Sequence, residues 1–142
     1  MLTLRKAKED DVSFLIELRL STMDEHMINA GLVLSVDEHK ERVLYQYECF
    51  HLVLDNKNVI GAVKFEDTDS CLYIHQIQVK PTQQGKGYGR QIISQLIQRT
   101  AHDTVELKVL KQNPAFRLYN AIGFKVIGED EFEYHLRKEL VI

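Results

Sequence analysis

The chain reads as a mixed α/β fold, and three observations carry that reading. Short apolar or alternating segments, at residues 2–6, 51–55, 59–66, 71–79 and 104–109, mark strands. Segments of helical apolar spacing, such as Ile92, Ile93, Leu96 and Ile97, lie between them. Three glycines at alternate positions, Gly85, Gly87 and Gly89, sit between a strand and a helix. The order is strand, two helices, three strands, helix, strand, helix, two strands.

Taken in order, residues 2–6 alternate and predict a first strand. Asp10 or Asp11 can cap a helix, where acidic side chains suit the positive end of the dipole. Val12, Leu15, Ile16 and Leu18 follow helical spacing, and the helix is expected to reach about Met23. Residues 24–34 are mixed, with Gly31 as a break. Ser35 followed by Glu38 is a capping box, so a second helix runs from there to about Glu48. Residues 51–55 and 59–66 predict a hairpin turning at Asn56, Lys57 and Asn58.

The central strand, 71–79, shows Leu72, Ile74 and Ile77 or Val79 as its apolar marks. Pro81 ends it, having no N–H for the ladder. After the glycines and the helix, Val105, Leu107 and Val109 alternate in the next strand. Pro114 suits the first turn of a short helix that ends before Gly123. Residues 124–127 and 132–136 predict a last hairpin, turning over 128–131.

Length and composition bound the function. At 142 residues the chain is sized for one domain with a real core. A net charge of −3 gives no basic footprint for nucleic acid, and no apolar run approaches a membrane span. The N-terminal residues lack the apolar core of a signal peptide. Cys49 and Cys71 form no metal pattern and suit a reducing compartment, most simply the cytoplasm. The six histidines lack metal-ligand spacing, so no metal is expected.

The stretch from His75 to Ile97 carries the chemistry. The first N–H groups of a helix have no intrahelical partner and lie at the positive end of its dipole. Glycines there let a ligand approach the backbone, and Lys86 and Arg90 add charge. Strand, glycine turn and helix together predict a phosphate or pyrophosphate cradle.

Gln84-Gly85-Lys86-Gly87-Tyr88-Gly89 resembles the Q/R-x-x-G-x-G/A motif of the GNAT superfamily of acyl-coenzyme A-dependent N-acetyltransferases. The run from Asn113 to Phe124, NPAFRLYNAIGF, is similar to that family's second motif. The resemblance covers nearly the whole chain. It implies a central, mostly antiparallel mixed sheet of about six to seven strands, splayed at the cofactor site and flanked by about four helices. It implies acetyl-coenzyme A as cosubstrate and a small-molecule or peptide amine as acceptor. Neither nucleic acid nor membrane is an expected partner, and a homodimer is left open.

The resemblance also implies roles for residues. Gln84, Gly85, Lys86, Gly87, Tyr88, Gly89 and Arg90 would hold the pyrophosphate. The backbone of Ile77, Gln78 and Val79 would pair with the pantetheine arm and polarise the thioester. Asn113 and Phe116 would contact the cofactor, although Asn113 also reads as a cap before Pro114. Tyr119 matches the tyrosine that protonates the departing thiolate. His75 is the second catalytic candidate, since an imidazole near neutrality can take an ammonium proton. Glu66, Tyr73 and ordered water are rivals for that base. The segment Arg19–Gly31 would line the acceptor site, with Met23, Glu25 and His26 in its mixed run Met23, Asp24, Glu25, His26, Met27, together with Glu66.

Two other classes compete. A dinucleotide-dependent oxidoreductase needs G-x-G-x-x-G near the start of a βαβ unit, whereas this chain has G-x-G-x-G after Pro81. A non-catalytic acyl-coenzyme A sensor would share the cradle, but Tyr119 speaks for an enzyme.

Overall fold

Among the described residues, alternation and helical spacing translate into seven strands and four α-helices. The structure, a computed structural model, describes residues 2–140 and, at Asp24, the backbone alone. The strands are β1 (Leu2–Lys6), β2 (Phe50–Asp55), β3 (Asn58–Asp67), β4 (Leu72–Val79), β5 (Thr104–Leu110), β6 (Lys125–Glu129) and β7 (Glu133–Glu139). The helices are α1 (Val12–Asn29), α2 (Val36–Leu44), α3 (Tyr88–Arg99) and α4 (Ala115–Ile122).

The strands form one sheet in the order β1-β2-β3-β4-β5-β7-β6. Every pairing is antiparallel except β4 with β5. That parallel ladder is short, running only from Leu72↔Val105 to Ile74↔Leu107. Beyond it the strands part, while β4 stays paired to β3 as far as Val79. The splay expected from the resemblance is therefore present.

Helices cover both faces. Ile92, Ile93 and Leu96 of α3 and Tyr119 of α4 pack on Leu72, Ile74, Val105, Leu107 and Val109. Leu15 and Leu18 of α1 and Val43 of α2 pack on Phe50, Leu52 and Ala62 opposite. On that second face Lys64 of β3 is buried, with Nζ 2.9 Å from the Arg42 carbonyl and 2.6 Å from that of Tyr45. These carbonyls lie at or just past the end of α2, the negative end of its dipole, so the ammonium ties α2 to the sheet. Burial pulls the Lys64 ammonium down to about 8, which leaves it mainly charged at neutrality.

A bulge in β4 decides which side chains of the strand share a face. Lys64 pairs with Gln76 but Phe65 with Ile74, so His75 is an extra residue. Apolar parity changes across it: Leu72 and Ile74 before, Ile77 and Val79 after, all facing the α3 side. This is why the sequence alternation is broken at that point. Gln76 and Gln78 consequently share a face, and the Gln78 amide reaches Met23 of α1.

Several boundaries differ from the sequence reading. The first helix does not stop near Met23 but continues to Asn29, because Met27 is a further buried position on the same stripe. Asp11 does not cap it; its carboxylate accepts from the Lys8 N–H and the Arg5 guanidinium, closing a short 3-10 turn at Glu9–Asp11. The Ser35 capping box is present, but α2 ends at Leu44, and Gln46 then takes a left-handed φ of 49°. Gly128 lies within β6, beside a bulge, and not in the turn.

Candidate active site

Where β4 and β5 part, a cleft of about 490 Å³ opens. Its walls come from α1, β4, the glycine loop, the start of α3, the end of β5 and α4. Of the predicted site residues, Met23, His26, His75, Ile77, Gln78, Val79, Gln84, Gly85, Gly87, Tyr88, Gly89, Arg90, Asn113 and Tyr119 line it. Glu25, Glu66, Lys86 and Phe116 do not. The side chain of Asp24 lies outside the described residues.

The loop end of the cleft is built from backbone. Gly85 and Gly87 have φ of +78° and +85°, a region that L side chains avoid, and an added Cβ would meet nothing within 4 Å. Gly87 stands directly before α3, so the unpaired N–H groups of the first turn open beside it. This is open, electropositive space of the kind a pyrophosphate needs. Gly89 differs: it is already helical, and a Cβ there would come 3.1 Å from Leu118, so its smallness serves the packing of α3 on α4.

Side chains brace this loop. Gln84 Nε2 donates to the Val79 carbonyl at 3.0 Å, tying the loop to β4. Lys86 donates to Gln83 Oε1 at 3.2 Å and is exposed. The Tyr88 hydroxyl donates to Asp55 of β2 at 2.5 Å, which raises the phenol's pKa. Asn113 Oδ1 accepts from the Ala115 N–H at 2.9 Å, so the cap reading is correct, and the residue lines the cleft as well. Phe116 instead packs on Tyr134, ring centroids 5.0 Å apart.

Tyr119 is the one buried residue of α4, 8% exposed. Its ring stands edge-on to Phe124 at 5.9 Å. Burial pushes the phenol up to about 12. It therefore remains protonated throughout the neutral range.

At the other end, the bulge residue His75 sets Nε2 2.7 Å from Glu66 Oε1, and its ring lies against Tyr73 at 4.7 Å. A carboxylate only accepts, so Nε2 carries a proton, and in the neutral ring Nδ1 then holds the lone pair. Glu66 thus supports His75 instead of lining the cleft. Burial, with Glu133 and Glu106 as the leading charges, pushes Tyr73 up to about 12.

Lys108 of β5 and Glu133 of β7 complete this wall. The sequence reading missed both, along with Gln76, Gln83 and Leu118, while Thr22 falls within the Arg19–Gly31 segment it gave to the acceptor site. Lys108 stands at an outward-alternating position between Leu107 and Val109, which reads as a solvated surface. Glu133 is half-buried, and burial first, then Asp130, raises its carboxyl pKa. Only the sheet order, which brings β7 beside β5, could have revealed it. Among the described residues no group of three or more His, Cys, Asp or Glu side chains gathers as a metal-ligand set, and no helix is long and apolar enough to cross a membrane.

Comparison with known proteins agrees with this architecture. Residues 21–137 match the family model described as acetyltransferase (GNAT) domain. A structure from Pyrococcus horikoshii OT3 is 22% identical, with TM-score 0.78 and 100% of each chain covered. An acetyltransferase from Thermus thermophilus is 17% identical, with TM-score 0.79, covering 99% of this chain and 97% of its own. PaiA N-acetyltransferase from Thermoplasma acidophilum, solved with coenzyme A, is 17% identical with TM-score 0.75, covering 98% and 99%. No curated protein matches.

Proposed function

The chain belongs to the GNAT acetyltransferase family, and on that premise we propose that it moves the acetyl group of acetyl-coenzyme A onto a primary amine of a small molecule or peptide, by direct attack in a ternary complex. The observation that carries this reading is the parting of β4 and β5 in front of the open Gly85–Gly87 loop, with Tyr119 in the same cleft.

The loop and the start of α3 take the pyrophosphate. The β4 backbone beyond Ile74, released from β5, offers N–H and C=O groups to the pantetheine arm in the manner of a strand edge. An N–H of the Ile77–Val79 segment polarises the thioester carbonyl. Arg90 supplies charge at the loop, and Asn113 holds the arm beside α4.

The amine enters between α1 and the β4–β5–β7 wall, against Met23 and His26. His75 Nδ1 takes a proton from the ammonium, and Glu66 holds the ring and stabilises the imidazolium. The free amine attacks the thioester carbon, the C–S bond breaks, and the Tyr119 hydroxyl gives its proton to the departing thiolate. A phenol near 12 facing an ordinary thiol near 8.5 makes that last transfer uphill by about 5 kcal/mol in water. The thiolate leaves inside the same poorly hydrated cleft, which raises its own proton affinity and narrows the gap. Unpaired Cys49 and Cys71 fit a cytoplasmic location.

The test is thiol release from acetyl-coenzyme A in the presence of an amine panel. Amine-dependent release with an N-acetylated product supports the assignment. Tight acetyl-coenzyme A binding without turnover on any amine would make the protein an acyl-coenzyme A sensor instead.

A further inference from the structure

Two buried cations lie on the α1–α2 face of the sheet, and they are treated differently. Lys64 has backbone carbonyls as acceptors. Arg19, 1% exposed, has none among the described residues. Its Nε donates to His39 Nδ1 at 2.9 Å, and among the described residues its two terminal nitrogens reach the thioethers Met23 Sδ and Met27 Sδ, each at 3.6 Å. No carboxylate among the described residues lies within ion-pair distance of it. A buried guanidinium normally has a carboxylate or a strong oxygen acceptor, and a thioether is a weak substitute.

The same sulfur is shared. Gln78 Nε2 also donates to Met23 Sδ, at 2.9 Å. Gln78 is 2% exposed; its Nε2 has Gln76 Oε1 as a second, longer acceptor at 3.3 Å, and its Oε1, itself an acceptor, is buried with no partner among the described residues. Two good donors from different elements therefore converge on one weak acceptor. That acceptor, Met23, lines the cleft, as Gln78 does. Methionine has three rotatable bonds and gives way readily.

From the convergence of the Arg19 guanidinium and the Gln78 amide on the Met23 thioether, we infer that this end of the cleft receives the carboxylate of the acceptor, which is thus an amino acid or another amino carboxylate. The inference rests on the acetyl-transfer reading above. The carboxylate displaces the sulfur and accepts from both donors. A planar guanidinium fork suits a carboxylate in geometry as well as in charge. The amine of the same molecule then lies toward His75 and Glu133, which line the same cleft.

The experiment uses matched triplets: an amino acid, its carboxamide and the amine lacking the carboxyl group, each assayed with acetyl-coenzyme A. The acid is expected to exceed the carboxamide by at least about thirtyfold in kcat/KM, mostly through KM. In Arg19→Gln that ratio is expected to fall to within about threefold of unity. Should Arg19→Gln fail to fold, Gln78→Leu is expected to cut the ratio by about fivefold or more, and the wild-type triplet decides alone. Equal use of acid and carboxamide by the wild type overturns the inference while leaving acetyl transfer intact. So does an acid preference that Arg19→Gln preserves. No thiol release with any amine would remove the acetyl-transfer reading first, and this inference with it.

Discussion

At the loop end of the cleft the groups on offer to a ligand are main chain: positive-φ Gly85 and Gly87, the first turn of α3, and the free edge of β4. At the acceptor end they are side chains, Met23 and His26 from α1, His75 and Gln78 from β4, Lys108 from β5 and Glu133 from β7. A main-chain site tolerates side-chain change and fails when a Cβ or a dihedral is altered. A side-chain site behaves the other way. The first kind also leaves a contiguous trace in sequence, and the second does not. Tyr119 belongs to the junction, where the proposed reaction would release the thiolate.

The largest expected effect is at that junction. Tyr119→Phe keeps the ring against Phe124 and deletes only the hydroxyl. Its kcat should fall roughly ten- to a thousandfold, with acetyl-coenzyme A affinity nearly unchanged. Steady-state kinetics beside a binding titration check this; near wild-type kcat with chemistry rate-limiting would return the tyrosine to the core. Because burial pushes the phenol up to about 12, the protonated acid persists as pH rises, so no alkaline loss of kcat should appear before about pH 11.

Next comes the main-chain end. Gly87→Val puts a β-branched side chain at φ +85° and into the space left for the ligand. Acetyl-coenzyme A should bind at least tenfold more weakly, about 1.4 kcal/mol, while acceptor KM moves little. Lys86→Ala, which touches only an exposed charge, should cost roughly two- to threefold and vanish with salt. If Lys86→Ala costs more than Gly87→Val in calorimetric titration, the loop end is not a main-chain site.

At the acceptor end, His75→Ala should lower the rate by about tenfold near neutral pH and recover at high pH, where the amine deprotonates unaided. Cofactor affinity should not change. A mutant pH–rate profile parallel to wild type would make His75 structural. The smallest effect lies outside both ends. His135 and two backbone N–H groups hold the Asp130 carboxyl at about 2, so its bond adds stability above the ordinary aspartate pKa and loses it as pH falls toward 2. Asp130→Asn should lower thermal stability slightly at pH 7, not at pH 2, and leave kinetics untouched.

Much of the fold was legible because the strands alternate and are punctuated by Pro81, Pro114 and Gly123. The glycine end of the site was legible for the main-chain reason given above. The helical register of α1 past Met23 was not, since its outer face is polar there and Gly31 two residues beyond Asn29 suggests an earlier break. The pairing of His75 with Glu66 depends on a bulge that sequence shows only as faltering alternation. The contacts from Tyr88 to Asp55 and from Gln78 to Met23 join residues 33 and 55 positions apart, and nothing local announces them.

The three-pair ladder between β4 and β5 has a consequence for folding. The sheet carries a seam in its interior where main-chain groups lack a neighbour, so a ligand laid along it acts as a missing strand. Ligand concentration then enters the protein's stability by mass action. At one hundred times its dissociation constant, acetyl-coenzyme A would add about 2.7 kcal/mol. For a chain of this size that is a rise in Tm of roughly 5–10 °C. Without that ligand the seam leaves main-chain groups of β4 without a strand partner, and this is the stabilisation the unliganded protein forgoes.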